Sequence, residues 1–323
     1  MAGMPDLARI GTRVKGRMNP LLAVFAAFFV ALLAANAFSW QDAEAAETKP
    51  KPKPKPSSAM KAESQTLAPV IMQPRAPENS QAELPDWRRY AAPSTESGEA
   101  PIIALVIDDL GHNEEEFVRV MALGEGITLA ILPYPKRAEE FARRARQHGF
   151  EILVHMPMEP TNSSNDPGPN ALLTDLNDNE LLRRLSHNLA RLAGYVGINN
   201  HMGRKFSQNR HAMSLVLSEL EARGLLYLDS VTINSTIGAR LAEASRMPYA
   251  SRDVFLDHLA EQSSIEDQLR AVEKVARETG RAVAIGHPYG ETLAALKRWL
   301  PDARRRGFEF VPISTIAALE CAC

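Results

Sequence analysis

The feature that most narrows the possible folds is an alternation. From Pro101 to Leu319, short and almost continuously apolar runs alternate with segments whose apolar residues recur at helical spacing. The runs are "IIALVI" (102–107), "ITLAIL" (127–132), "FEILVH" (150–155), "YVGIN" (195–199), "LLYLD" (225–229), "MPYA" (247–250), "AVAIG" (282–286) and "FEFVPI" (308–313). Runs this short and this apolar suit parallel strands covered on both faces. Between them, "RAEEFARRARQHG" (137–149) puts Phe141 and Ala145 on one face with charges opposite, and stops at Gly149, a residue that terminates helices. The segments 179–194 and 264–280 also end in glycine. Seven or eight β-α units in one domain, 101–319, predict a (β/α) barrel of seven or eight strands. A doubly wound open sheet is the alternative, but no G-x-G-x-x-G follows the first run.

The sequence before this domain is different in kind. Leu21–Phe38 is apolar apart from Asn36, and Arg9, Arg13, Lys15 and Arg17 precede it. The apolar run is near the lower length limit for a membrane-spanning helix, and its basic flank belongs on the cytoplasmic side. Residues 1–40 therefore read as a cytoplasmic basic tail plus a signal anchor, or a signal peptide cut near Ala43-Glu44-Ala45. Either reading exports the remainder to the periplasm or cell envelope, and the anchor adds a tether to the inner membrane. "ETKPKPKPKPSS" (47–58) blocks helix and sheet alike, so residues 41–100 are expected to form a disordered Lys/Pro-rich linker. A formal net charge of -2 over 323 residues argues against a nucleic-acid partner recruited by bulk charge. The two cysteines, Cys321 and Cys323, lie in the tail 320–323, which excludes a disulfide framework inside the domain.

In a barrel of parallel strands, chemistry sits at the strands' C-terminal ends. The first run ends in Asp108 and Asp109, and the third in His155, with Glu159 four residues on. Asn199, Asn200 and His201 follow the fourth, with Arg204 just beyond, and Asp229 ends the fifth. Arg252, Asp253 and Asp257 lie near the sixth, and His287 follows the seventh. Each has a structural explanation taken alone. Asp109 could cap the helix beginning near Asn113, and Asp229 could cap a turn. Taken together, aspartates and histidines converging on one barrel mouth point to a divalent metal site. A cation would also offset the repulsion between the adjacent carboxylates of Asp108 and Asp109.

The ordered set "VIDDLG", "LVHMPMEP", "INNHMG" and "AIGHPY" resembles the divergent branch of the polysaccharide deacetylase superfamily, over about 101–319. The resemblance implies Asp108 as catalytic base and Asp109 as metal ligand. The superfamily's H-x-x-x-H motif supplies two histidine ligands, but "HMPME" keeps His155 and has Glu159 in the second place. The resemblance then leaves His201 to supply the missing nitrogen, and His287 to act as general acid. It implies a divalent metal, with zinc suited to two imidazoles and one carboxylate. It also implies an acetylated envelope glycan, such as peptidoglycan, as substrate. Glu159, Asn200, Arg204 and Asp229 are candidates for sugar contacts or for orienting the ligands. Tyr289 and Trp299 are candidates for sugar stacking or for core packing. Two other classes stay open: a non-catalytic envelope protein that binds glycan or a cell-wall partner, and a glycosidase working through Asp108 and Asp229.

Overall fold

The computed structural model describes residues 84–94 and 98–321. The basic tail, the Leu21–Phe38 segment, most of the expected linker and Cys323 lie outside them. Among the described residues no helix is long and apolar enough to cross a membrane.

β1 (Ile102–Leu110) pairs in parallel with β2 (Ile127–Ile131) on one side and β8 (Arg281–Gly286) on the other. The sheet continues from β2 through β3 (Glu151–Met158), β4 (Gly197–Met202) and β5 (Leu226–Asp229) to β6 (Tyr249–Ser251). From β8 it continues to β7 (Val254–Phe255). β6 and β7 stand at opposite ends of this path, yet only Arg252 and Asp253 separate them. One extended stretch therefore serves both edges. The Arg252 amide donates to the Asp229 carbonyl, and the Asp253 amide donates to the Val283 carbonyl. The sheet is thereby curled into the expected (β/α) barrel-like form, with β6 and β7 as its two edge strands.

Seven of the eight expected runs contribute strands of the curled sheet. The eighth supplies only β9 (Glu309–Phe310), which pairs with the first two residues of β1. β3 runs three residues past His155, because Met156, Pro157 and Met158 pair with Asn200, His201 and Met202 of β4. β7 has no counterpart among the expected strands, since two residues are too few to leave a periodic pattern.

The helices are α1 (Asp86–Arg89), α2 (Glu114–Met121), α3 (Ala138–Gln147), α4 (Asp178–Leu189), α5 (Arg210–Ala222), α6 (Gly238–Ser245), α7 (Gln262–Thr279), α8 (Gly290–Arg305) and α9 (Ile313–Glu320). Asn113, Asn177 and Asn209 cap α2, α4 and α5 through their side-chain oxygens. Asn113 in this role leaves Asp109 free for other work. Successive residues of a strand point to opposite faces, which divides the core in two. Ile103, Leu105 and Ile107 face outward against the helices, where Phe117 and Phe141 stack at 4.5 Å. Ala104, Val106, Ala130, Leu153, Leu228 and Ile285 fill the barrel interior, and Ile313, Ile316 and Ala317 of α9 join the same cluster.

The floor is polar at one point. The buried Glu151, at the start of β3, accepts hydrogen bonds from Thr128 Oγ1, from Ser314 of α9 through both its amide and hydroxyl, and from the Ala92 amide. Burial, opposed by these donors, raises its carboxyl above the usual range.

The Ala92 contact bears on the domain boundary. Leu84–Ser94 fall inside the stretch expected to be disordered linker, yet Asp86–Arg89 form a helix and Trp87 is buried. Trp87 is 5% exposed within the inner cluster, and its amide donates to the Gly224 carbonyl. Two aromatic anchors, Trp87 and Tyr90, are diluted by the surrounding prolines and charges, so averaged composition conceals them. The folded unit thus begins before residue 101. A chain starting at Pro101 is expected to melt well below one starting at Leu84. Trp87→Ala in the longer chain should lose about 3 kcal/mol in urea denaturation, as for a buried aromatic truncated to alanine. Equal midpoints for the two chains would show that this segment adds nothing.

Candidate active site

The site begins with a fault in β1. Its register against β2 slips between Ile107 and Leu110, and Asp109 lies there in the left-handed region at φ 59. In a regular strand Asp108 and Asp109 would point to opposite faces. The bulge bends the strand and re-aims the second side chain, so both carboxylates reach the mouth. Asparagine and aspartate tolerate this conformation better than other non-glycine residues. Met202, directly after His201, is also left-handed at φ 54.

Three predicted ligands converge. Asp109 Oδ1 lies 2.8 Å from His201 Nδ1 and 3.1 Å from His155 Nε2, and the two ring nitrogens are 3.2 Å apart. Asp109 Oδ1 is buried and accepts no aligned hydrogen bond. Zinc bonds of ~2.0–2.1 Å at tetrahedral angles put neighbouring ligand atoms about 3.3 Å apart, close to the spacings here. Three ligand-type atoms packed this closely could share one cation, and two imidazoles with one carboxylate would leave a fourth position open. The residues fit a divalent metal, and Asp109, His155 and His201 would hold it. Burial would raise the Asp109 carboxyl, but contact with the two imidazoles and their charge brings it far below the usual carboxylate range.

Asn199 sets the chemistry of two of these groups. It is fully buried, and its Nδ2 donates to Asp108 Oδ1 at 2.8 Å and to Ser230 Oγ at 3.2 Å. Only its Oδ1 is left to face His155 Nδ1, at 2.9 Å. His155 must therefore carry its proton on Nδ1, which frees the Nε2 lone pair for a metal. Asp108 Oδ2 stands 3.7 Å from His155 Nε2, beside the ligand cluster but outside it. Burial raises the Asp108 carboxyl, against the pull of His155 and His287.

His287 approaches from β8, with its Nε2 3.7 Å from Asp109 Oδ2. Its Nδ1 and backbone amide both bind the buried carboxylate of Asp257, at 2.9 and 2.6 Å, and Thr292 holds the same carboxylate. Burial, the largest single effect, lowers the imidazole. The Asp257 bond and the charges of Asp108, Asp257 and Asp109 outweigh it and bring His287 to about 9. Tyr289, 45% exposed, stacks on His287 at 5.4 Å, whereas Trp299 is packed and donates to Glu273.

The remaining candidates separate. Asn200 and Arg204 line the same cavity of about 380 Å³ as the ligands, Asp108 and His287. Glu159 turns away and ties Thr174 to Lys205, so it clamps two loops and is no ligand. Asp229 binds Val231, Thr236 and Ala239 and serves its own loop. With Asp229 so engaged, a glycosidase pair of Asp108 and Asp229 has no second free carboxylate. Asn199 and Asp257 were legible only as polar residues near strand ends, because their roles come from partners 91 and 30 positions away.

His155→Ala and His201→Ala should each abolish stoichiometric Zn²⁺ binding in calorimetry while the chain still unfolds cooperatively. Asn199→Ala should weaken it about 10–100-fold, the usual effect of removing a ligand's orienting partner. Full metal occupancy in both histidine variants would refute this ligand set.

The sequence model of divergent polysaccharide deacetylases matches residues 105–317. The uncharacterized protein YibQ of Escherichia coli (strain K12) is 35% identical over 196 residues, covering 61% of this chain and 61% of that protein. The chain thus spans less than two thirds of that relative's length. An uncharacterized protein of Haemophilus influenzae is 32% identical over 200 residues, 61% of this chain and 70% of its own. The crystal structure of an uncharacterized Agrobacterium tumefaciens C58 protein superposes with a TM-score of 0.70 at 28% identity, over 72% of this chain and 95% of that one. With a family match over residues 105–317 and the motif residues gathered at the mouth of the sheet, this chain belongs to the divergent polysaccharide deacetylase family.

Proposed function

We propose that the protein is a metal-dependent carbohydrate deacetylase acting on an N-acetylated envelope glycan such as peptidoglycan. One observation carries this reading: Asp108 and His287, a carboxyl and an imidazole placed to serve as base and acid, stand in one cavity beside the Asp109, His155 and His201 cluster. Bound zinc supplies Lewis-acid polarisation of the acyl carbonyl. The residues of the chain do the rest. Asp108, held by Asn199, accepts the proton of the attacking water as the new C–O bond forms. His287, held protonated by Asp257, donates its proton to the nitrogen as the C–N bond breaks. The products are acetate and the free amine. His201 replaces the second histidine of the superfamily motif, so the exchange at Glu159 leaves the ligand number intact.

An exported, envelope-facing address, tethered to the inner membrane by Leu21–Phe38, is part of the same proposal. Its support is the apolar run, its basic flank and the Lys-Pro repeat. An acetylated envelope polymer is the substrate such an address would bring within reach.

The test is acetate release from acetylated chitooligosaccharides and peptidoglycan, with and without chelator. Asp108→Asn and His287→Ala are each expected to lose at least about 100-fold in kcat, the usual range for removing a general base or acid, and Asp108→Asn should keep its metal. Activity should require ionised Asp108 and protonated His287. With a base that must be ionised and an acid that must be protonated, the pH profile of turnover should be bell-shaped. Asp257→Asn removes a bond and a charge that raise His287, so its alkaline limb should move to lower pH. Unchanged turnover in both Asp108→Asn and His287→Ala would end this mechanism. Tight glycan binding without acetate release would replace it with the binding-protein reading.

A further inference from the structure

One wall of the cavity has a feature that neither the metal site nor the proton transfers use. It is formed by the loop Ser230–Thr232 with Arg204, just after β4, and Arg252, between β6 and β7. Arg252 donates through Nε to the Ser230 carbonyl at 2.7 Å and through Nη2 to the Val231 carbonyl at 2.6 Å. Arg204 donates through Nε to the Thr232 carbonyl at 2.9 Å. Three successive carbonyls are thus turned onto two guanidinium groups. Val231 between them is forced to φ 47, an unfavourable conformation for a β-branched residue.

Each guanidinium has five N–H donors, and these contacts leave several unused. Among the described residues neither Arg204 nor Arg252 is ion-paired with a carboxylate; backbone carbonyls alone accept their hydrogen bonds. The hydroxyl of Thr232, on the same wall, is buried without a partner. The carboxylates whose charge reaches Arg252 are each bound by other partners: Asp229 by its own loop, Asp108 by Asn199 and Asp253 by the Val283 amide. What remains is a cationic, donor-rich wall next to the reacting centre, held in place by a strained loop. Planar guanidinium forks match the oxygens of carboxylates and phosphates, and backbone strain is retained where surrounding contacts enforce a working geometry.

We infer that Arg204, Arg252 and Thr232 form an anion subsite for a carboxylate or phosphate substituent on the acetylated sugar. This rests on the deacetylase reading and narrows its substrate class. The glycan carries an oxyanion close to its acetamido group, and a neutral N-acetylhexosamine chain is the poorer substrate.

Calorimetry of the full chain with zinc present tests the inference with three probes: N-acetylmuramic acid, N-acetylglucosamine 6-phosphate and N-acetylglucosamine. One of the two acidic sugars should bind at least tenfold more tightly than the neutral one, and which one does so separates carboxylate from phosphate. Arg204→Gln and Thr232→Val, both outside the packed core, should each reduce that preference to threefold or less. Equal affinity for all three sugars, binding of none, or a preference that survives both variants would overturn the subsite. Turnover is followed in parallel on muramic-acid-containing glycan strands and on the same strands with the carboxylate reduced to an alcohol. Acetate released equally from both removes the subsite and keeps the deacetylase. Selective binding of the acidic sugar with no acetate from either strand does the reverse.

Discussion

The left-handed turn at Asp109 is the constraint on which the mouth depends. Two neighbouring residues of a strand face opposite ways, so a regular β1 could deliver one carboxylate to the interior and would bury the other against a helix. The slip in register after Ile107 brings both to the same side. Their proximity then has to be compensated. Two unit charges 4 Å apart repel by about 4 kcal/mol at an effective dielectric of 20. Asn199, His155 and His201 provide part of the compensation, and a divalent cation would provide the remainder. The pairing of β3 with β4, the burial of Asn199 and the placement of His201 all serve a geometry that starts with one irregular residue.

The rest of the barrel supports that geometry from a distance. Ala104, Val106 and Leu153 pack the interior beneath the site, and α9 joins them through Ile313 and Ile316. Glu151 fixes α9 to β2, β3 and the segment around Ala92, with four donors meeting one buried carboxylate. An unpaired ion there would be strongly destabilising. The shared edge of β6 and β7 matters at the other end, because it puts Arg252 on the rim with its neighbours already hydrogen-bonded on both sides.

Much of this was legible in the chain. The apolar runs mark the strands, and the polar residues at their C-terminal ends identify Asp108, Asp109, His155, His201 and His287 as one set. Three things were not legible, for physical reasons. β7 is two residues long and carries no period. Trp87 lies in a stretch whose average composition is that of a linker, and only burial shows that one side chain matters more than its neighbours. The difference between Asp229 and Asp257 is invisible as well. Both are aspartates near strand ends, but one satisfies its own loop while the other reaches His287, and only the three-dimensional partner tells them apart.

The conformation at position 109 also limits what chemistry can be written there. Glycine would accept φ 59 with ease but brings no ligand, and asparagine accepts it but brings no charge. Glutamate brings the charge on a longer arm and fits the left-handed region poorly. Backbone and ligand requirements act as two independent filters, and aspartate is the letter that passes both. The permitted alphabet at this position is therefore close to one residue wherever the bulge must also present a ligand.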